Sequence, residues 1–193
     1  MQRTSQSWRP GRKRGHLWRT RSEREGSTED QASIRRVLES AFGTDAEAQL
    51  VDDLRDDEAH WIPRYSVLGF TAAIPDSEFE TTAAAHALLH RCTVDGQPGL
   101  MLAPNGVLPQ HQGEGAGAAV IEAALELAHE DGEPFVLVYG YPHYYPRFGF
   151  QPASDVGITA TWAEEKPALQ IRILDEQADI PRGEVQLPAA YGI

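Results

Sequence analysis

"GVLPQHQGEGAGAAVIEAALELAHE" occupies residues 106 to 130, and Gly113 to Gly117 within it place three glycines in five positions immediately before a strongly helical run. Glycine costs about 1 kcal/mol against alanine inside a helix, so such a cluster marks backbone that must turn sharply or approach something closely. Behind it, Val120, Ile121, Ala124, Leu125 and Ala128 recur on one helical face, with Glu122, Glu126 and Glu130 opposite. Asp131-Gly132 ends that helix, and "PFVLVYG" (134–140) follows as an apolar run expected of a strand buried on both faces. Ahead of the glycines, "AHALLHRCTV" (85–94) and "LMLAPNGVL" (100–108) flank Asp95-Gly96, a hairpin signal that predicts an antiparallel pair. Strand, glycine loop, helix and strand make a right-handed βαβ crossover, so the two strands joined by the helix run parallel.

The remaining segments fit around this unit. "LWRTR" (17–21) reads as a first strand. Thr28 with Gln31 makes a capping box for a helix whose apolar face is Ile34, Val37, Leu38, Ala41 and Phe42, stopped by Gly43. Thr44 and Glu47 cap a second helix with Ala46, Leu50, Val51 and Leu54 as its stripe. "YSVLGFT" (65–71) and "TAAAHALLHRCTV" (82–94) read as extended, separated by the acidic loop "PDSEFE" (75–80), and "ALQIRIL" (168–174) supplies a late strand. The expected fold class is α/β of the α+β kind: a mixed, mostly antiparallel sheet with one βαβ crossover, flanked by helices. No internal repeat and no linker interrupts residues 16–193, which read as one domain.

Composition bounds the function. The 193 residues are 41% hydrophobic and 24% charged, enough for a real core. No apolar run approaches the ~20 residues of a membrane-spanning helix, and the basic start lacks the apolar stretch of a secretory signal, so a cytoplasmic protein without membrane contact is expected. Cys92 is the sole cysteine and excludes an internal disulfide. Charge is uneven: residues 1–24 carry +7 and residues 25–193 carry −19, together the formal −12. An acidic body repels nucleic acid, leaving the basic start as the one phosphate-binding element of that type; residues 1–15, without periodicity, read as a disordered basic tail.

A glycine-rich turn feeding a helix leaves backbone N–H groups at the positive end of the helix dipole, a seat for phosphate, though a plain tight turn explains the glycines equally well. Two phosphate loops fail. The nucleoside-triphosphate loop needs Gly-Lys-Ser/Thr, and Gly117 is followed by Ala118-Ala119. The dinucleotide fingerprint fits formally at Gly113, Gly115 and Ala118, but it belongs after the first strand of a parallel sheet and needs an acid at the end of the next strand, where "VYGYPHYY" has none.

A third pattern fits. Gln112-x-x-Gly115-x-Gly117 opening a helix after a strand, followed by Tyr145-x-x-x-Gly149-Phe150, resembles the paired motifs of the GNAT N-acetyltransferase superfamily, and the stretch from "TVDGQPGLMLAPNGVLP" to "YYPRFGF" resembles a bacterial subgroup of predicted acetyltransferases. The resemblance covers Leu17 to Phe150. It implies acetyl-CoA as co-substrate, no metal, and an amine acceptor on a small molecule or protein. It implies that Val107 and Leu108 offer backbone to the pantetheine arm where the parallel strands splay. The amides of Gln112, Gly113, Glu114, Gly115, Ala116, Gly117 and Ala118 would hold the pyrophosphate, and Tyr145 would protonate the leaving thiolate. His86, His90, His143 and Glu114 are conceivable bases, and none is singled out. Glu114 departs from relatives that carry a basic residue in the loop, with His111 beside it as partial compensation. A non-catalytic acyl-CoA-binding module of the same fold is the alternative function. Acceptor choice would lie around "DDEAHWIPRYS" (56–66) and "IPDSEFE" (74–80), and exposed edge strands permit a homodimer without requiring it.

Overall fold

The computed structural model describes residues 9–11, 18–71, 82–163 and 168–193. The acidic loop at 75–80 lies outside them, as does most of the basic start. Contacts divide the chain into two compact units, each drawn from three stretches of sequence. The first comprises residues 1–49, 63–87 and 104–124, and the second 50–62, 88–103 and 125–193.

In the first unit, strand β1 (Arg9–Gly11) pairs antiparallel with β2 (Trp18–Ser22), which pairs antiparallel with β3 (Ser66–Thr71). β3 neighbours the start of β4 (Ala83–Val94). Helix α1 (Thr28–Phe42) begins one residue outside the expected capping box: Ser27 is the N-cap and its hydroxyl accepts from the Asp30 N–H. The Asp30 carboxylate meets Arg21 in a two-pronged pair at 2.6 and 2.8 Å, tying β2 to the helix. Burial alone would raise the Asp30 carboxyl, but the hydrogen bonds from Arg21 and Arg24 hold it well below the usual carboxylate range. Ile34, Val37 and Leu38 are buried as expected, whereas Phe42, the last residue of the helix, is 46% exposed. Helix α2 (Ala46–Arg55), of which residues 50–55 belong to the second unit, starts one residue later than its capping signal, and the Thr44 hydroxyl bonds the Glu47 side chain rather than a backbone amide. Its buried stripe is accordingly Ala48, Val51 and Leu54, with Ala46 exposed.

The second unit holds the later half of β4 and the start of β5 (Gln97–Val107), joined by Asp95 and Gly96. Both turn residues have positive φ (49° and 76°), as a type I′ hairpin requires. β6 (Phe135–Tyr139) lies parallel to β5 through Leu100↔Val136 and Met101↔Leu137, then antiparallel to β9 (Leu169–Ile173). The βαβ crossover expected from the sequence is therefore present. β7 (Gln151–Pro152) adds to β9, while β10 (Gly183–Gln186) pairs with β4 and, in parallel, with the two-residue β8 (Ile158–Thr159). The core of this unit gathers Cys92, Val94, Met101, Phe135, Leu137, Ile158, Leu169, Ile171 and Val185. Among the described residues, no helix is long and apolar enough to cross a membrane.

His90 is fully buried on β4. Its Nδ1 lies 2.9 Å from the Arg91 carbonyl, so that nitrogen carries the proton and Nε2 accepts from the Tyr191 hydroxyl at 2.8 Å. Burial pushes His90 down to about 4, with His60 adding to the effect and the Arg91 carbonyl opposing it. The unfolded chain regains an ordinary histidine near 6.5 and takes up a proton between pH 6.5 and 4 that the folded chain refuses. Stability conferred by the neutral ring is complete above pH 6.5 and falls, by on the order of 3 kcal/mol, as the pH drops to 4. Urea midpoints measured across this range should slope less steeply in His90→Gln than in wild type; identical slopes would assign the titration elsewhere.

Candidate functional site

The stretch from Val107 to α3 (Ala116–Glu130) lies in the first unit up to Ala124. Pro109–His111 makes one 3-10 turn, and the chain then crosses Gly113 and Gly115 at φ of 78° and 92° before entering the helix. Side chains rarely adopt that backbone, which explains two of the three glycines without any neighbour. A Cβ built on either would meet nothing within 4 Å, so the space in front of the turn is open. Gly117 sits inside the first helical turn, where alanine would be cheaper by about 1 kcal/mol. The first helical bond runs from Ala119 N–H to Gly115 carbonyl. The N–H groups of Ala116, Gly117 and Ala118 therefore precede the intrahelical ladder, and Gly115 has no side chain to cap them.

The residues singled out from sequence are placed unevenly by this geometry. Gln112 to Ala118 form the continuous rim of the helix entrance, half-buried or exposed except for Ala116. Leu108 is buried; its N–H donates to the Ala84 carbonyl at 2.8 Å and its carbonyl accepts from His111 N–H at 2.8 Å. The Val107 carbonyl accepts from the Gln112 side-chain amide at 3.4 Å. Glu114 turns its carboxylate to His111 Nδ1 at 3.0 Å, so the acid at the departure from the family pattern is partly neutralised whenever His111 is protonated. Sequence reading passed over Trp18: it is 2% exposed on β2, donates its indole N–H to the Glu114 carbonyl at 3.0 Å, and meets the His111 ring edge-on at 5.6 Å. Its only sequence signal was its inward position in a short alternating strand.

In the second unit the ladder between β5 and β6 extends through Leu100↔Val136 and Met101↔Leu137, although β6 continues to Tyr139. Tyr145 follows β6 in a 3-10 turn (Tyr145–Phe148) and is 6% exposed. Tyr144 at 5.1 Å, Phe150 at 5.7 Å and Phe148 at 6.4 Å surround its ring. Gly140 matters here, because a Cβ at that position would run into the Tyr145 ring, so only glycine lets the ring lie over the end of β6. The Phe148 carbonyl is held by Arg172 from β9.

The candidate bases separate by environment. His86 is fully buried, and its Nε2 lies 3.0 Å from a Ser66 hydroxyl that itself donates to Glu23 at 2.7 Å. This chain fastens β4 to β3 and to the end of β2. His90 titrates too low to deprotonate an ammonium ion near neutrality. His143 is exposed, and Glu114 is engaged by His111. Burial pushes the Cys92 thiol up to about 12, which leaves it protonated and unreactive. Among the described residues no group of three or more His, Cys, Asp or Glu is placed to hold a metal ion.

Comparison with known proteins agrees with the element order. The acetyltransferase (GNAT) domain family matches residues 23–153. The uncharacterised N-acetyltransferase YjhQ of Escherichia coli strain K12 is 36% identical over 138 residues, 69% of this chain and 71% of that protein. A GNAT family acetyltransferase from Brucella melitensis, solved in complex with acetyl-CoA, is 27% identical with a TM-score of 0.69 over 92% of this chain and 99% of its own. The structure of the GNAT family N-acetyltransferase YhbS from Escherichia coli in complex with CoA shares the fold at a TM-score of 0.80 and 23% identity, covering 95% of this chain and 96% of its own. With a family match across residues 23–153 and a strand, glycine turn and helix of the expected form, the chain belongs to the GNAT acetyltransferase family.

Proposed function

We propose that the turn from Gln112 to Ala118 seats the pyrophosphate of acetyl-CoA and that Tyr145 is the acid in transfer of the acetyl group to an amine. One observation carries the reading: the N–H groups of Ala116, Gly117 and Ala118 precede the helical ladder, and the space at Gly113 and Gly115 in front of them is open. The acetyl-CoA complex of the Brucella melitensis relative supports the choice of ligand. Uncapped amides at the positive end of a 15-residue helix favour a phosphate more than any neutral group. The pyrophosphate would be bound by amides alone, since the one charged side chain in the turn, Glu114, has the wrong sign.

The chemistry needs one new bond and one broken. The neutral amine nitrogen bonds to the thioester carbonyl carbon and gives up its proton to water, the carbon–sulfur bond breaks, and the departing thiolate takes the phenolic proton of Tyr145, which water then restores. Val107 and Leu108, at the end of β5, would offer main-chain groups to the pantetheine amides. The Tyr145 phenol is held in a ring of aromatic edges that excludes water from its ring faces, a setting that keeps its orientation fixed between turnovers. The acceptor is an amine of a small molecule or of a protein. The −19 balance of residues 25–193 would draw a cationic one in.

Calorimetric titration with acetyl-CoA tests the seat: wild type should saturate, and Gly115→Trp, which fills the open space, should not. Saturation of both would place the coenzyme elsewhere. Replacing the carboxylate in Glu114→Arg should tighten binding severalfold, because it removes a like charge and supplies a phosphate partner; an unchanged dissociation constant would show that the side chain faces away from the ligand. In an amine-panel assay, Tyr145→Phe should lower kcat about a hundredfold while leaving acetyl-CoA affinity intact. Full activity of that variant would remove Tyr145 from the chemistry.

A further inference from the structure

We propose that Trp18 is a positioning residue that locks the Glu114–Gly115 peptide with its N–H facing the ligand, an inference that rests on the turn being the pyrophosphate seat. The indole N–H donates to the Glu114 carbonyl at 3.0 Å, so that carbonyl points inward at β2. A trans peptide is planar, and its C=O and N–H point in opposite directions. With the carbonyl of Glu114 tied to Trp18, the N–H of Gly115 must face away from β2. The residues on both sides of this peptide's first member, Gly113 and Gly115, are glycines at positive φ, the residue type with the lowest barrier to the opposite arrangement. Turned over, the same peptide would present a carbonyl oxygen where an N–H should meet phosphate, replacing attraction by repulsion.

Trp18 is well built for this task. It is 2% exposed, and its backbone is held in the sheet opposite Thr71 on one side and Gly11 on the other. Its ring also meets the edge of His111, whose Nδ1 holds the Glu114 carboxylate at 3.0 Å. Residue 114 is therefore anchored twice, by its carbonyl and by its side chain, in the middle of an otherwise glycine-lined turn. The anchors cost the turn its freedom before any ligand arrives, so the amides need little reorganisation on binding.

The test compares two acyl donors on the full chain: acetyl-CoA, and S-acetylpantetheine, which lacks the pyrophosphate and nucleotide. Trp18→Phe removes the N–H, and L-3-benzothienylalanine at position 18 does so while keeping the shape of the indole, in case the smaller ring disturbs the core. Both variants should weaken acetyl-CoA by about fivefold to tenfold, the worth of one hydrogen bond, and leave the dissociation constant of S-acetylpantetheine, read by ligand-observed NMR, unchanged. Equal weakening of both donors would make Trp18 a general structural support and overturn the proposal, as would unchanged acetyl-CoA affinity in both variants. If wild type binds S-acetylpantetheine as tightly as acetyl-CoA, the pyrophosphate seat itself is wrong and the inference falls with it.

Discussion

A helix cannot satisfy its own first N–H groups, and at the start of α3 no side chain among the described residues takes their place. At α1 that need is met locally: Ser27 caps the helix with its hydroxyl, and the Asp30 that follows is occupied by two arginines. At α3 the N-cap is Gly115 and the next residues are alanine and glycine. The helix could start with a serine or aspartate cap worth about 1 kcal/mol. It does not, which is what the proposed pyrophosphate seat requires, and Trp18 and His111 both bond Glu114 beside the turn.

The second unit answers a different constraint. Two strands that run parallel must be joined through a crossover, and β5 and β6 use theirs to pair through Leu100↔Val136 and Met101↔Leu137. The compact core beneath, from Cys92 and Val94 to Ile171 and Val185, takes in Met101 and Leu137 of that pair. Gly140 and Arg172 then fix the turn that carries Tyr145, one by giving room to its ring and the other by holding the Phe148 carbonyl.

Both histidines that sequence offered as bases on β4 are committed to structure. His86 is bonded into the line through Ser66 to Glu23, and His90 is held between the Arg91 carbonyl and Tyr191. A fully buried imidazole resists the charge that proton abstraction would give it. Neither ring on β4 is therefore placed to take the proton of an acceptor amine.

The order of elements, the hairpin at Asp95-Gly96, the amphipathic face of α3 and the glycine turn were legible in the sequence because each depends on local rules: turn residues that permit positive φ, and hydrophobic spacing of 3.6 or 2. The same rules misplaced the α1 cap by one residue and drew the α2 stripe through Ala46 instead of Ala48, since neighbouring cap candidates and half-buried alanines differ only in tertiary surroundings. What spacing could not supply was any contact between distant residues. Trp18 and Glu114 stand 96 positions apart, as Arg91 and Glu133 stand 42 apart, and no periodicity links them. Sequence by itself determined where the backbone could bend and leave amides unpaired; only the folded sheet, by bringing the first long strand beside the turn, decided which way those amides would face.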